Sequence, residues 1–370
     1  MFPPSSVVFL CYLGGRIMKA AVLYGVGDLR YEEVEIPQLK EGEALIKVKA
    51  CGVCGSDVPR VMEKGTYSFP LIPGHELAGK VARIEGKSQG IKEGDRVTVF
   101  PLIPCLKCPY CKAGRYNLCD SYSYLGSRCN GGFAEYVKAP LKNLIRLPRT
   151  VSYEEGAFTE PASVALHALR RSKLDAGDEI AILGAGPIGV LLAQWAAILG
   201  AGEVFLVDIE EEKLKVARGY GFGKLVNAKE EDPVERIRKD TGGKGVDIVV
   251  EAAGTSLTLK ESIKLAKKGG RIVLLGNIRG EVVLSESLVS GILRKELTIL
   301  GTWNSSFTHF PKNEWAISLK FMQEGKLKVR PLISHRLHLS QAREAFQMMY
   351  EKREFYNKVM FVFEESERGD

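Results

Sequence analysis

The rhythm of apolar and polar positions changes near residue 165. Between residues 18 and 148, short apolar runs (44–48, 79–84, 96–100 and 133–137) are broken at close intervals by Gly and Pro. That texture belongs to short strands turning into a barrel-like β domain. Helical periodicity is scarce there. From residue 165 onward, strand-like runs at 179–183, 203–207, 224–227, 247–251, 271–275 and 297–300 alternate with helical stretches. Six strands separated by helices call for a doubly wound parallel sheet with helices on both faces. After residue 302 the alternation stops, and the chain closes with a helical pattern over 339–351 and an apolar strand over 358–363. The expectation is an α/β protein in which residues 18–165 form a β-barrel domain and 166–302 the parallel sheet. Residues 303–370 return to the barrel, which leaves the active site in the cleft between the two.

Length supports two domains, since 370 residues exceed one ordinary core. Apolar residues at 45% and charged residues at 26% exclude disorder. A net charge of +7 raises nucleic acid as a partner, but the basic residues are interspersed with 45 acidic ones and form no block of five. A cleft for an anionic cofactor or substrate is the better use of that surplus. The apolar run Val7 to Leu13 is too short to span a bilayer and has no basic n-region before it. Met18 reads as a natural start leading directly into a strand, so residues 1–17 are expected to be an extension, disordered or not native. Of the eight cysteines, four fall within fifteen residues, which favours metal ligation in a reducing compartment and hence a cytoplasmic, non-membrane protein.

The run 179–183 leads into Gly184-Ala185-Gly186-Pro187-Ile188-Gly189, followed by a helical stretch. This is the G-x-G-x-x-G pattern between a strand and a helix. Gly184 permits the tight turn, Gly186 lets backbone approach a pyrophosphate, and Gly189 lets helix pack on strand. Pro187 and Ile188 open the helix whose amides face the phosphates. An ordinary Gly-rich turn is the bland alternative, and the next strand argues against it. That strand ends in Asp208, placed to accept hydrogen bonds from both adenosine ribose hydroxyls. An acid there repels a 2′-phosphate and Ile209-Glu210 supply no cation, so NAD is expected over NADP. The second domain is accordingly read as a Rossmann domain.

Cys105, Cys108, Cys111 and Cys119 stand as C-x2-C-x2-C-x7-C on a loop with Pro104, Pro109 and Gly114. Four thiolates close a tetrahedral zinc shell with no open position, a structural site. An iron–sulfur cluster is the competitor, but ferredoxins bring the fourth Cys three residues later and follow it with Pro, whereas here Asp120 follows. Catalysis needs another metal with a vacancy, and Cys51, Cys54, His75, Glu76 and Glu160 remain as candidates at the domain junction. Taken singly each is bland, a small buried Cys or a satisfied core His. Together, beside a dinucleotide fold, they are not.

These residues and their settings resemble the zinc-containing medium-chain dehydrogenases. The likeness covers nearly all of residues 18–363. It is carried by Cys54-Gly55-Ser56-Asp57, Pro73-Gly74-His75-Glu76, Gly94-Asp95-Arg96-Val97, the four-Cys loop, Gly131 to Tyr136 and the Gly184 to Gly189 turn. Glu160-Pro161 points to the polyol and threonine dehydrogenase branch. Cys54 to Arg60, Pro101 to Cys105, Gly126-Ser127-Arg128 and Leu293 to Thr298 with Gly301-Thr302-Trp303 are similar to its galactitol-1-phosphate dehydrogenases. The resemblance implies a GroES-like barrel, a catalytic zinc on Cys54, His75 and Glu160 with Glu76 as ligand or neighbour, and Cys51 as a buried bystander. It also implies hydride transfer from a polyol or polyol phosphate to NAD. One departure is Pro59, which stands where many alcohol dehydrogenases carry an outer proton-relay His. Ser56 is then the candidate to take the hydroxyl proton.

Arg60, Arg128 and Lys295 are the candidates to face a substrate phosphate, each also readable as an ordinary surface cation. Free polyols such as sorbitol, inositols and sugar acids are the next substrates, with threonine behind them. A non-enzymatic dinucleotide-binding protein would have lost part of the Cys54/His75/Glu160 set, and a zinc-free quinone reductase would lack both that set and the four-Cys loop. An edge strand near 297–300 favours a homodimer or homotetramer.

Overall fold

The computed structural model describes residues 17–88, 90–308 and 312–363. Of the extension expected over residues 1–17, the first sixteen lie outside the described residues. Ile17 belongs to the fold: it pairs with Glu35 in an opening hairpin, Ile17–Gly25 against Asp28–Glu35.

The expected parallel sheet is present with the strand order Lys224–Asn227, Glu203–Asp208, Glu179–Leu183, Val246–Glu251, Ala266–Leu274, Thr298–Gly301. All five pairings are parallel. Direction of winding reverses between Glu179–Leu183 and Val246–Glu251, where Leu183 lies beside Glu251. A doubly wound sheet opens its ligand crevice at the carboxyl ends of such a pair. The strands are continuous Val/Ile/Leu/Ala runs because helices cover both faces; Ile180, Ala181, Ile182 and Leu183 are fully buried. Thr298–Gly301 is the exposed edge, next to a helix, Glu286–Arg294, that carries exposed Val289 and Leu293.

The barrel is built on Glu43–Gly52, which pairs antiparallel with Glu76–Ile84, Tyr136–Pro140 and Lys358–Val362. Arg96–Val99 and Leu144–Arg146 extend it on one side and Ile333–Leu337 on the other. The last strand among the described residues, Lys358–Val362, therefore lies inside the sheet of the first domain. Phe133, predicted to open a strand, sits three residues before strand Tyr136–Pro140: its ring packs edge-on against Phe346 and Phe361 in the barrel core. Its carbonyl accepts from Ala21 of the hairpin instead of continuing a ladder.

Helix Thr159–Ser172 joins the two halves. It buries ten of its fourteen residues, and Trp195 of the helix after the Gly-rich turn donates to its Ala162 carbonyl. The first turn of this helix, Glu160 included, is thus held at the junction.

Candidate functional site

Two cysteine-containing clusters stand out among the described residues. In the first, the sulfurs of Cys105, Cys108, Cys111 and Cys119 all lie within 4.8 Å of one another. A one-turn helix, Pro109–Lys112, begins at Cys108 and turns the chain so that Cys105 and Cys111 sulfurs stand 4.0 Å apart. Amides aimed at sulfur favour the thiolate. The backbone N–H groups of Lys107 and Cys108 hold Cys105 down to about 6, and those of Asp120 and Cys111 hold Cys108 below its usual range. Burial and the neighbouring sulfurs push Cys111 up to about 12. Four crowded sulfurs of mixed inclination are what a soft dication reconciles, so the donor set fits a closed zinc site.

The second cluster lies at the domain junction. Donor atoms of Cys54, His75 and Glu76 come within 4.8 Å of one another. Cys54 lies just past the end of strand Glu43–Gly52, and Glu76 opens the neighbouring strand with His75 directly before it. Gly52 is the register partner of Glu76. Any side chain at Gly52 would collide with the Glu76 carboxylate, since its Cβ would stand 2.3 Å from Oε2. Asp57, fully buried, accepts from the Cys54 amide at 3.1 Å and faces His75 Nδ1 at 3.5 Å. A carboxylate behind the ring is the usual device for directing the other imidazole nitrogen at a metal. Burial pushes Asp57 up, but His75 and Arg60 outweigh it and hold the carboxyl low. Ser56 Oγ donates to Cys54 Sγ at 3.3 Å, so the hydroxyl chosen as proton acceptor is beside the cluster.

Glu160 is buried beside the cluster but outside its 4.8 Å group. Tyr124 Oη donates to its Oε1 at 3.3 Å, and the Tyr124 ring stands edge-on to His75 at 5.6 Å. Desolvation pushes the Glu160 carboxyl up to about 7 against the pull of His75. Cys51 is fully buried and lies outside the 4.8 Å group.

The three candidate substrate cations part company. Arg60 pairs with buried Asp57, the carboxylate that faces His75. Lys295 is a correction: its ammonium donates to the carbonyls of Ile263, Lys264 and Ala266 at 2.8 to 3.0 Å. Those are the open carbonyls at the end of helix Ser256–Leu265, a natural seat for a cation. Lys295 precedes strand Thr298–Gly301 and therefore lies at the amino edge of the parallel sheet, opposite the crevice. Arg128 is different. Its guanidinium lies 4.2 Å from the Tyr67 ring centroid and 4.5 Å from that of Tyr122, and no carboxylate pairs with it among the described residues.

Sequence reasoning missed Lys358. Its ammonium, almost fully buried, donates to both oxygens of Glu76 at 2.8 and 2.6 Å and to the Val53 carbonyl. Burial opposes the charge, but Glu76, Cys54 and Glu160 outweigh it and raise the ammonium above its ordinary value. A lone Lys opening an apolar strand was the available signal, and nothing local linked it to Glu76.

The Gly-rich turn has the form a dinucleotide needs. Gly184 adopts φ +113°. A Cβ at Gly189 would stand 1.9 Å from the Gly184 carbonyl, whereas one at Gly186 would meet only open space, the room that a pyrophosphate fills. Pro187 is the first residue of helix Pro187–Ile198. Asp208 accepts from the Ala185 amide at 2.8 Å and the Glu210 amide at 3.0 Å, which fixes it beside the turn with lone pairs to spare.

Comparison with known proteins agrees with this geometry. Residues 40–149 match the family described as alcohol dehydrogenase GroES-like domain, and residues 187–324 match zinc-binding dehydrogenase. Galactitol 1-phosphate 5-dehydrogenase of Escherichia coli is 35% identical over 86% of this chain and 92% of its own. Sorbitol dehydrogenase of Bacillus subtilis is 34% identical over 93% and 96%. A zinc-binding dehydrogenase of Sinorhizobium meliloti, solved bound to NADP, superposes with a TM-score of 0.86 at 34% identity, covering 94% of this chain and all of that one.

Proposed function

Since the chain belongs to the zinc-binding alcohol dehydrogenase family, whose polyol and alcohol members exchange a hydride between a CH–OH group and a nicotinamide dinucleotide, we propose that it oxidises a polyol phosphate with NAD. The observation that carries the substrate class is Arg128. Two tyrosine faces hold its guanidinium flat, its backbone amide is bonded to the Tyr124 carbonyl at 2.9 Å, and its N–H groups have no carboxylate partner among the described residues. Tyr122 is edge-on to Tyr124, and Tyr124 to His75, so the cation stands two aromatic contacts from the metal cluster. A terminal phosphate presents paired oxygens that suit such a fork.

Cys54, His75 and Glu76, with Glu160 beside them, would form the catalytic zinc site, and the four-Cys lobe the structural one. When bound, the catalytic metal supplies Lewis-acid polarisation of a hydroxyl and the dinucleotide supplies the hydride acceptor. The chain's own groups do the rest. Asp57 keeps His75 in one tautomer and orientation, with Arg60 balancing its charge. Lys358 neutralises Glu76. Ser56 would relay the hydroxyl proton, passing its own on to water as it receives the new one, because Pro59 offers none of the relay that a His there would. Asp208 receives the adenosine ribose and repels a 2′-phosphate, while Lys213, one turn further on, is tied to Glu210 at 3.2 Å. The exposed edge strand Thr298–Gly301, with Val289 and Leu293 beside it, supports a homo-oligomer.

A panel of phosphorylated and free polyols, read by NADH absorbance, tests the substrate. Arg128→Ala is expected to lower kcat/KM for a phosphorylated polyol by about 10- to 100-fold, the worth of one hydrogen bond to a charged group. Turnover of the free polyol should barely change. Equal losses on both, or a wild type that prefers the free polyol, would leave a polyol dehydrogenase without a phosphate site. NAD should be used in strong preference to NADP, and Asp208→Ser should narrow that gap by about tenfold through loss of one charge repulsion. Equal efficiency with the two cofactors in the wild type would sink the NAD assignment.

A further inference from the structure

A hydrogen-bonded string crosses the cleft that none of the roles above employs. Tyr124 Oη donates to Glu160 Oε1 and accepts from Asn304 Nδ2, each at 3.3 Å. Asn304 cannot turn its amide round, because its Oδ1 receives the Ser305 amide at 2.7 Å and the Ser305 hydroxyl at 3.2 Å. Its backbone sits at φ +54°, a left-handed conformation that a non-glycine residue keeps where its surroundings hold it there. Ser305 Oγ is itself gripped by the indole N–H of buried Trp315 at 2.9 Å. Next to that Trp, the buried carboxylate of Glu314 takes Arg170 at 2.8 Å and His167 at 3.0 Å. Both partners ride on helix Thr159–Ser172, whose first turn bears Glu160. Asn304, three residues after the last strand of the nucleotide sheet, is thus tied to that helix through Tyr124 and Glu160, and Glu314 is tied to it directly.

We propose that Tyr124, braced by Asn304, is a positioning residue that holds the Glu160 carboxylate back from the metal's ligand shell and keeps one position open for substrate. The inference rests on the reading of Cys54, His75, Glu76 and Glu160 as the catalytic metal site. Its geometric basis is that Glu160 is the one member left outside the 4.8 Å group, and the Tyr124 hydroxyl occupies one of its oxygens. A carboxylate released from that bond could swing in as a fourth protein donor, and a tetrahedral shell of four protein donors is the closed arrangement of structural sites. Partners behind a ligand commonly change metal affinity by about 10- to 100-fold.

The test reads the metal directly. Cobalt(II) is exchanged into the catalytic site of protein whose four-thiolate lobe retains zinc, and its d–d absorption and rate of loss to a chelator are followed. Tyr124→Phe is expected to alter the band and slow the loss by about tenfold. Tyr124→Phe in a Glu160→Gln background should match Glu160→Gln alone. Asn304→Gly removes the brace while accepting the positive φ, so it should shift both readings the same way and remains informative should Tyr124→Phe fail to fold. Wild-type band and rate in both single variants overturn the proposal, as does a Tyr124→Phe shift that persists without the Glu160 carboxylate. Cys54→Ser is run alongside. If it retains the wild-type band, the metal-site reading itself fails, an outcome distinct from failure of the brace.

Discussion

Replacing Lys358 with Met should destabilise the protein by about 3 to 5 kcal/mol, the usual cost of removing one partner from a buried ion pair. The replacement nearly preserves volume, so packing is not the main loss. What remains is the Glu76 carboxylate, almost fully buried and stripped of the ammonium that bonded both its oxygens. Glu160 and Cys54 add further negative charge nearby. Removing the orphan as well, in Lys358→Met/Glu76→Gln, should recover most of the loss. Denaturant unfolding of the three proteins decides it: a Lys358→Met protein as stable as wild type would mean that Glu76 is neutralised in some other way.

Cys54→Ser should leave a folded protein with turnover reduced by about a thousandfold or more, since the metal's contribution to hydroxyl activation is worth several kcal/mol. Cys108→Ser should do the reverse. It opens the closed lobe, in which Cys108 both caps the one-turn helix and completes the sulfur set, and so lowers melting temperature and soluble yield first. The lobe also touches the segment after the nucleotide sheet, where Asn117 donates to the Trp303 carbonyl, so some activity should fall with it. The measurement is a paired one, circular dichroism melting and NADH formation on each variant with metal content determined. Full activity in zinc-loaded Cys54→Ser would remove that residue from the catalytic shell.

The parts of this molecule that were legible in the sequence are those written locally. The six parallel strands follow from contiguous apolar runs between helical stretches, and the Gly184 to Gly189 turn and the four-Cys loop are each encoded within fifteen residues. Glu76, His75 and Cys54 could be named because each sits in a short motif of a resembled family. Lys358 could not, because its partner lies 282 residues away in the chain and the pair is made only by strand pairing. Tyr124 and Asn304, 180 residues apart, were hidden for the same reason. Asp57 was quoted within a motif, but its part behind His75 needed the turn geometry. Lys295 was misplaced because a positive charge in sequence does not say whether it faces an anion or the end of a helix. Strand ends were least well read: the fifth strand of the sheet begins at Ala266, five residues before the apolar run starts, since pairing with Val246 recruits polar Lys267 and Lys268 into it.

The position of Lys358–Val362 in the barrel bears on the order of events during biosynthesis. A ribosome delivers the chain from its amino end, and domains generally fold as they emerge. Cys54, His75 and Glu76 appear early, and the nucleotide sheet is complete once residue 301 has left the exit tunnel. Strand Lys358–Val362, which pairs with Ala50 to Gly52 and brings the countercharge for Glu76, comes last. The cofactor domain is thus ready while the nascent barrel still has a gap and an unmatched carboxylate, so the cluster of Cys54, His75 and Glu76 receives its countercharge only after the cofactor domain has emerged.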